Sequence, residues 1–233
     1  MTQAARAQRG PIGLDLFVVV ETAALLGLSV YIWRSGPLGP IPVHLNLTGA
    51  VDGWGDRNEV ALIVAGLTAV LTFSHGLLIS MARGHAPDSP ARRGLRQARI
   101  ILTMVGLFAG ILFGGFVFGG ARLAAGAGPG KWPIVILALM FLVVGAQLGK
   151  AAPNPFVGVR TYWSLRSRLA WDKSNRLAGR LFFWIGLSAL AAAPFVPLAV
   201  ETMTLVTAIL VAAAVAVFES WRVWRSDPDR LHP

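Results

Sequence analysis

The sequence predicts an all-α integral membrane protein with six transmembrane helices. Of its 233 residues, 55% are hydrophobic and 14% are charged, whereas soluble proteins carry about 25% charged residues. Six apolar stretches follow one another, most reaching the ~20 residues that cross a bilayer. They lie near 13–33, 58–82, 97–121, 132–149, 181–199 and 200–221. This pattern excludes a cytosolic enzyme and a disordered tail, and the absence of cysteine excludes a disulfide scaffold.

The basic residues predict the orientation of these helices. If six helices alternate in direction, 17 of the 21 Lys and Arg residues fall on one side, in both tails and in the second and fourth connections. Only Arg34, Arg57, Arg122 and Lys131 remain for the other side. Cytoplasmic segments carry such an excess, so both termini are predicted to be cytoplasmic. The net charge of +10 therefore indicates topology and contact with lipid headgroups, and no direct binding of nucleic acid.

The first apolar stretch, Leu14 to Ile32, is predicted to be retained. It is longer than the core of a signal peptide, and it ends at Trp33 and Arg34 where a signal peptide would have small residues.

The chain divides into three predicted units. Residues 1–82 form a two-helix unit with an outer loop, 83–131 a basic inner loop and a glycine-rich third helix, and 132–233 a unit of helices four to six. In the third helix, Gly106, Gly110 and Gly114 share one face, which favours close helix packing within the chain or an oligomer seam. Pro194 and Pro197 predict a tight turn between helices five and six.

Three ionisable residues fall within predicted helices. Glu21 and His75 have matching depths on sequential helices, so they are expected to be neighbours in a buried polar contact, with a proton relay as the alternative. Glu201 begins the sixth helix, where the helix dipole favours a carboxylate.

The first outer loop, residues 39–56, is predicted to be ordered. Pro40 and Pro42 hold the chain extended, and Asp52-Gly53 suits a tight turn. His44, Asn46, Asp52 and Asp56 offer possible metal ligands, but a compact loop of side-chain to backbone hydrogen bonds is the favoured interpretation, and no metal site is predicted. If an extracellular ligand binds, this loop with Trp54 is the first candidate surface.

The fourth connection is predicted to lie on the cytoplasmic side. Asn154 between two prolines predicts a turn, Gly158 allows close backbone approach, and Arg160 can hold carbonyls or a carboxylate. Ser164 is expected to cap a short interfacial helix. Leu165 and Leu169 are expected to face the membrane from this helix, and Trp171 is a third candidate for the same face. The segment joins helices four and five as a scaffold, or it docks a cytosolic protein.

Both loops carry motifs that resemble those of the SdpI-type immunity protein family. The outer loop reads IPVHLNLTGAVDGWG and the inner loop PNPFVGVRTYWSL followed by WDKSNRLAG, similar to the family patterns IPxHxNxxGxxDGWG, PNxxxGxRTxxTL and WxxTHRxxG. The resemblance adds Thr161, Trp171, Asn175 and Arg176 to the cytoplasmic motif. Ser164 replaces a frequent threonine and Asn175 a frequent histidine, so the resemblance carries over no role that depends on that imidazole.

The resemblance implies immunity to a secreted membrane-active peptide toxin, with a possible role in signalling by sequestering a cytosolic repressor. In this hypothesis the toxin binds at His44, Asn46, Asp52 and Trp54. The alternatives are a small transporter or channel that uses Glu21 and His75, and a structural subunit of a membrane complex. No metalloprotease, serine hydrolase or nucleotide-binding motif occurs, so neither an enzyme nor a cofactor is predicted.

Overall fold

The structure, a computed structural model, describes residues 12–124 and 130–230, with the backbone alone at Ile12 and from residue 120 to 124. Arg6 and Arg9 of the predicted basic tail lie outside the described residues. Seven helices and one two-stranded hairpin make up the described part. Their order is α1 (Ile12–Ser35), β1 (Ile41–Leu45), β2 (Val51–Gly55), α2 (Arg57–Arg83), α3 (Pro90–Ala124), α4 (Trp132–Leu148), α5 (Tyr162–Leu165), α6 (Arg168–Ala192) and α7 (Leu198–Ser226).

Four helices in the described ranges are long and apolar enough to cross a membrane, namely α1, α2, α3 and α7. The remaining two predicted spans differ from them. α4 is apolar but has 17 residues, and α6 begins with a polar half that runs from Arg168 to Arg180 before its apolar half. These four helices confirm the predicted class, a helical membrane protein.

The tight turn predicted at Pro194 and Pro197 is confirmed, although the apolar stretches 181–199 and 200–221 differ from the bounds of the two helices. α6 begins at Arg168 and ends at Ala192, and α7 begins at Leu198. The apolar sequence continues through the turn, so hydropathy alone cannot locate it. Pro197, whose ring cannot continue the preceding helix, stands at the N-cap of α7.

The helices pack as two groups of three. In one group α1 packs on α2 and α2 on α3, and in the other α4 and α7 both pack on α6, while contacts between α3 and α4 join the groups. Both groups supply residues to a buried cluster at one end of the bundle that includes Leu78, Leu95 and Leu148. This end, which carries the 150–161 loop, is called the basic end. The opposite end, which carries β1 and β2, is called the hairpin end.

Glycines of α3 pack against neighbouring helices of the same chain. A Cβ added at Gly106 would lie 2.4 Å from Oε1 of Glu21, and one at Gly110 would lie 2.9 Å from Cδ2 of Leu25. One added at Gly114 would meet only Phe118 of its own helix, at 4.0 Å. Packing within the chain therefore explains the first two glycines of this face.

Candidate functional site

The outer loop of the sequence forms an antiparallel hairpin between α1 and α2. Its most direct side-chain contact joins Nδ1 of His44 to Oδ1 of Asp52 across the strands, at 2.6 Å. Both side chains are exposed, to 69% and 45% respectively. Trp54 on the second strand is also exposed, to 44%. Three of the predicted ligand-facing residues therefore present a hydrogen-bonded histidine–aspartate pair and an indole to the surroundings.

The fourth predicted residue, Asn46, shapes the turn. Its Oδ1 accepts hydrogen bonds from the backbone N–H of Thr48 at 2.9 Å, the Thr48 hydroxyl at 2.7 Å and the Ala50 N–H at 3.1 Å. An asparagine side chain commonly organises a turn in this way. Gly49 follows with φ +79°, a conformation that favours glycine. Asn46 thus acts within the loop.

Asp56 has a structural role in the described loop. Its Oδ1 accepts from the N–H groups of Asn58 and Glu59, and Glu59 returns a bond to the Asp56 N–H, which together form a capping box at the start of α2. Within the described ranges, no group of three or more His, Asp or Glu residues could hold a metal ion. The possible ligand set of His44, Asn46, Asp52 and Asp56 is therefore divided among a cross-strand pair, a turn and a helix cap.

The tip of the hairpin rests on the distant helix α7. A Cβ added at Gly49 would lie 2.9 Å from Cγ of Leu198 and 3.0 Å from Oγ1 of Thr202. Ile41 at the base of the hairpin is fully buried in a cluster with α1, α2 and α3. The hairpin therefore spans the two helix groups at this end of the bundle.

At the opposite end, Asn154 organises the 150–161 loop. It is 4% exposed, and its amide makes four hydrogen bonds. Nδ2 donates to the carbonyls of Ala152 and Val157, while Oδ1 accepts from the N–H groups of Phe156 and Val157. This use of both ends of the amide accounts for an asparagine between two prolines.

Gly158, Trp171 and Asn175 lock this loop to α6. Asn175 Oδ1 accepts from the Val159 N–H at 2.8 Å, and its Nδ2 donates to the Trp171 carbonyl at 2.9 Å. Gly158 has φ +124°, and a Cβ there would lie 2.6 Å from Asn175 Oδ1. The amide of Asn175 therefore holds the loop backbone without any titratable ring.

The possibility that Trp171 faces the membrane is wrong. Its side chain is fully buried, and its indole N–H donates to the carbonyl of Ala151 at 2.8 Å. Leu165 and Leu169, by contrast, are exposed, as predicted for an interfacial segment. The helical spacing of these residues suited either arrangement, and the burial of the loop against α6 decides it.

The predicted helix cap is displaced by three residues. Thr161 is the N-cap of the four-residue helix α5, and Ser164 completes its capping box. Ser167 then caps α6 through the N–H of Ala170. Two contacts fix this region to the end of α7: the hydroxyls of Thr161 and Ser220 lie 2.7 Å apart, and the Ser167 hydroxyl donates to the Asp227 carboxylate.

Sequence reasoning missed Ser167, Ser220 and Asp227. The first carries a weak local signal, because serine preceding an apolar helix is a frequent cap. The other two are about 60 residues distant from their partners in the sequence, and nothing local indicates those pairs.

The two arginines of the predicted cytoplasmic motif are exposed. Arg160 was expected to hold carbonyls or a carboxylate, but its side chain is exposed, and it takes part in none of the ion pairs between described residues. Arg176 is exposed on the surface of α6. The motif therefore combines a buried scaffold with arginines available to a partner.

Glu21 and His75 are both buried where α1, α2 and α3 meet. Glu21 is 9% exposed and His75 is 3% exposed. No hydrogen bond joins the two side chains, since within the described part of the chain Glu21 Oε1 and both ring nitrogens of His75 have no hydrogen-bond partner. Nearby, Arg99 pairs with Asp15, its Nη2 lying 2.5 Å from Oδ1.

Glu201 lies in the first turn of α7, as predicted, but its side chain is buried and not at the surface. It is 3% exposed, and its Oε2 lies 3.7 Å from Nζ of Lys131. The Lys131 ammonium also donates to the carbonyls of Ala193 and Val196 in the turn that joins α6 to α7. This lysine and carboxylate therefore tie the start of α4 to the α6–α7 turn.

The fold defines the class of this protein. Four long apolar helices in the described ranges, with ordered loops at both ends of the bundle, are the features of a multi-pass membrane protein. Residues 150–220, which contain the buried loop, α6 and most of α7, match the SdpI/YfhL protein family. This match confirms the resemblance to the SdpI-type family in the C-terminal part of the chain. No curated protein and no solved structure matches the chain.

Proposed function

We propose that this protein gives a bacterial cell immunity to a secreted, membrane-active peptide toxin. The match of residues 150–220 to the SdpI/YfhL family is the observation that carries the proposal. According to this proposal, six helices cross the cytoplasmic membrane and both termini lie in the cytoplasm. The protein performs no catalysis. The hairpin binds the toxin at the outer face, and the 150–161 loop signals occupancy by sequestering a cytosolic repressor.

The chemistry of the hairpin supports toxin binding there. Exposed aromatic residues are favoured in binding surfaces because they bury a large area at low entropic cost. Trp54 offers such a surface beside the exposed His44–Asp52 pair. A membrane-active peptide combines apolar and charged groups, and this surface complements both.

A challenge assay tests immunity. The chain is expressed in a sensitive bacterium, which is then exposed to peptide toxins from related strains. Wild-type protein is expected to restore growth, while Asp52→Asn or Trp54→Ala abolishes protection at equal expression. Leu38→Ala is a matched control, because Leu38 is exposed before the hairpin and outside the motif. Unchanged protection in the Asp52 and Trp54 variants contradicts hairpin binding, and no protection by wild type against any toxin contradicts immunity.

The signalling half of the proposal has its own test. Arg160→Ala is expected to reduce co-purification of a cytosolic repressor and to release its target promoter, with toxin protection retained. Arg166→Ala is the control, because this arginine stacks on Tyr162 outside the PNxxxGxRT residues. Equal repressor capture by wild type and Arg160→Ala contradicts the assigned role.

Topology can be measured directly, because the natural chain has no cysteine. Single cysteines at positions 44 and 160 are expected to react from opposite sides with a membrane-impermeant maleimide. Labelling of both positions from one side contradicts the proposed threading.

A second candidate function is proton or ion transport through the α1–α2–α3 group. The favouring observation is the set of buried, unpartnered atoms on Glu21 and His75, since intramembrane ionisable groups often mark ion pathways. Proteoliposomes are expected to show flux that Glu21→Gln removes. Absence of flux with wild-type protein contradicts this candidate and leaves immunity untouched.

A further inference from the structure

A groove of about 810 Å³ opens at the basic end of the bundle, between α4 and α6. Its wall on α6 changes in character along the helix. Lys173, Arg176 and Arg180 line its upper part, and Phe183 and Trp184 line its lower part. A charged rim thus leads into an aromatic, apolar base.

The three cations and Trp184 lie on one face of α6. Their spacing of three, four and four residues keeps them within a narrow arc of a helix with 3.6 residues per turn. At 1.5 Å per residue, the stripe from Lys173 to Trp184 is about 16 Å long. Lys150, on the α4 side of the groove, adds a fourth cation.

Among the described residues, the groove cations take part in no ion pair. Ion pairs between described residues use other Lys, Arg or His side chains. Glu219, the acidic residue that lines the groove, is held by Arg222, whose Nε and Nη2 lie 2.7 and 2.8 Å from its two carboxylate oxygens. The rim therefore keeps an excess of positive charge, because four Lys and Arg side chains line the groove beside the one acidic residue of its lining, Glu219.

Glycines form the floor of the groove, where α4 and α6 cross closely. A Cβ at Gly145 would lie 2.4 Å from the Phe183 nitrogen, and one at Gly179 would lie 2.7 Å from the Gly145 carbonyl oxygen. This contact fixes both walls, because neither helix can move closer and added side chains would separate them. The groove is consequently a preformed feature of the packed helices.

We propose that this groove binds one anionic phospholipid. The phosphate headgroup lies among Lys173, Arg176 and Arg180, and an acyl chain runs along Phe183 and Trp184. Basic pockets between transmembrane helices on the cytoplasmic side are suited to anionic headgroups. An acidic protein would match the rim alone, whereas a phospholipid matches both the charged rim and the apolar base. The inference does not depend on immunity or on transport.

Native mass spectrometry of the full-length protein tests the site. The protein is released from micelles after titration with phosphatidylglycerol or with phosphatidylcholine of the same acyl chains. Wild-type protein is expected to retain one phosphatidylglycerol at least tenfold more tightly than phosphatidylcholine. Equal retention of the two lipids overturns the proposal and needs no variant.

A charge-matched pair of variants locates the binding. Each basic residue at an anionic surface contributes on the order of a fivefold change in affinity, so Lys173→Gln, Arg176→Gln and Arg180→Gln together are expected to weaken phosphatidylglycerol at least tenfold. The control neutralises Arg83, Arg93 and Arg96, which are exposed near the α2–α3 connection, and is expected to change binding less than threefold. Equal losses in both variants indicate diffuse charge attraction and overturn the groove.

Two further measurements test the site if the triple variant does not fold and if the ligand is not a lipid. The single variant Arg180→Gln is expected to lose about fivefold if the triple variant does not fold. Glycerol phosphate is expected to compete poorly, because it lacks the acyl chains, and competition equal to that of the lipid overturns the lipid assignment. Loss of a bound acidic protein with phosphatidylglycerol retention unchanged in the triple variant also overturns it.

Discussion

An asparagine with local hydrogen bonds organises each of the two ordered loops, but the loops differ in how far their other side-chain hydrogen bonds reach along the sequence. In the hairpin, the side chains of Asn46 and Asp56 bond to backbone within four residues, and His44 reaches Asp52 eight residues away. In the 150–161 region, Thr161 reaches Ser220 across 59 residues. In the hairpin motif, the side chains of His44, Asp52 and Trp54 are exposed. In the second motif, most side chains form contacts that hold the loop and the helices together. Two motifs of similar length therefore need not have similar roles.

The largest expected difference between the loops concerns their tryptophans. Trp171→Ala removes a fully buried indole and its bond to the Ala151 carbonyl, and is expected to lower the free energy of unfolding by about 3–5 kcal/mol. Trp54→Ala, at an exposed site, is expected to cost less than about 1 kcal/mol. Denaturant titration in mild detergent measures both. Similar costs at the two sites would contradict the contrast between a structural and a presented loop.

A smaller effect is expected at the glycine that joins the loop to α6. Gly158→Ala places a side chain at φ +124° and 2.6 Å from Asn175 Oδ1, so it is expected to cost about 1–3 kcal/mol. Gly66→Ala is the matched control, because a Cβ at that position meets nothing within 4 Å and alanine favours a helix. Thermal unfolding of both variants distinguishes them, and an unchanged midpoint for Gly158→Ala would show that the loop can shift.

Asn175, where the sequence departs from the family pattern, tests whether hydrogen bonding holds the loop to α6. Asn175→Leu leaves the Val159 N–H without its acceptor and is expected to cost about 1–3 kcal/mol. Asn175→His is expected to cost less, because a neutral imidazole has one donor and one acceptor. Unfolding midpoints of the two variants measure the difference. Equal losses would mean that shape, and not hydrogen bonding, governs this position.

The smallest stability effect is expected at the hairpin. Asp52→Asn weakens the exposed pair with His44, and such pairs contribute less than about 1 kcal/mol. The same substitution is expected to abolish toxin protection. A large loss of stability, measured in the same titration, would instead give Asp52 a structural role and remove the basis for a presented surface.

Much of the helical fold could be predicted because apolar length is a property of the sequence alone. The first four predicted stretches correspond to α1 through α4, although α3 begins at Pro90, several residues before its apolar part. Hydropathy does not locate the α6–α7 boundary, because apolar residues continue through it, but Pro194 and Pro197 predicted the turn there. The proline-flanked Asn154 predicted a turn, and its four hydrogen bonds are local. The bond from the Val159 N–H to Asn175 could not be predicted, because it joins residues 16 positions apart on different elements.

The sequence by itself determined that the helices suit a lipid bilayer and that the C-terminal part resembles the SdpI-type family. Both can be read from the sequence, because they depend on the length of the apolar stretches and on the order of the motifs. Tertiary structure alone decided that Trp171 is buried, that Glu21 and His75 have no hydrogen bond to one another, and that Arg160 is exposed. It also assembled the basic groove from α4 and α6. These outcomes depend on which helix faces meet, and helices of similar apolar composition can meet on several faces until close packing selects one.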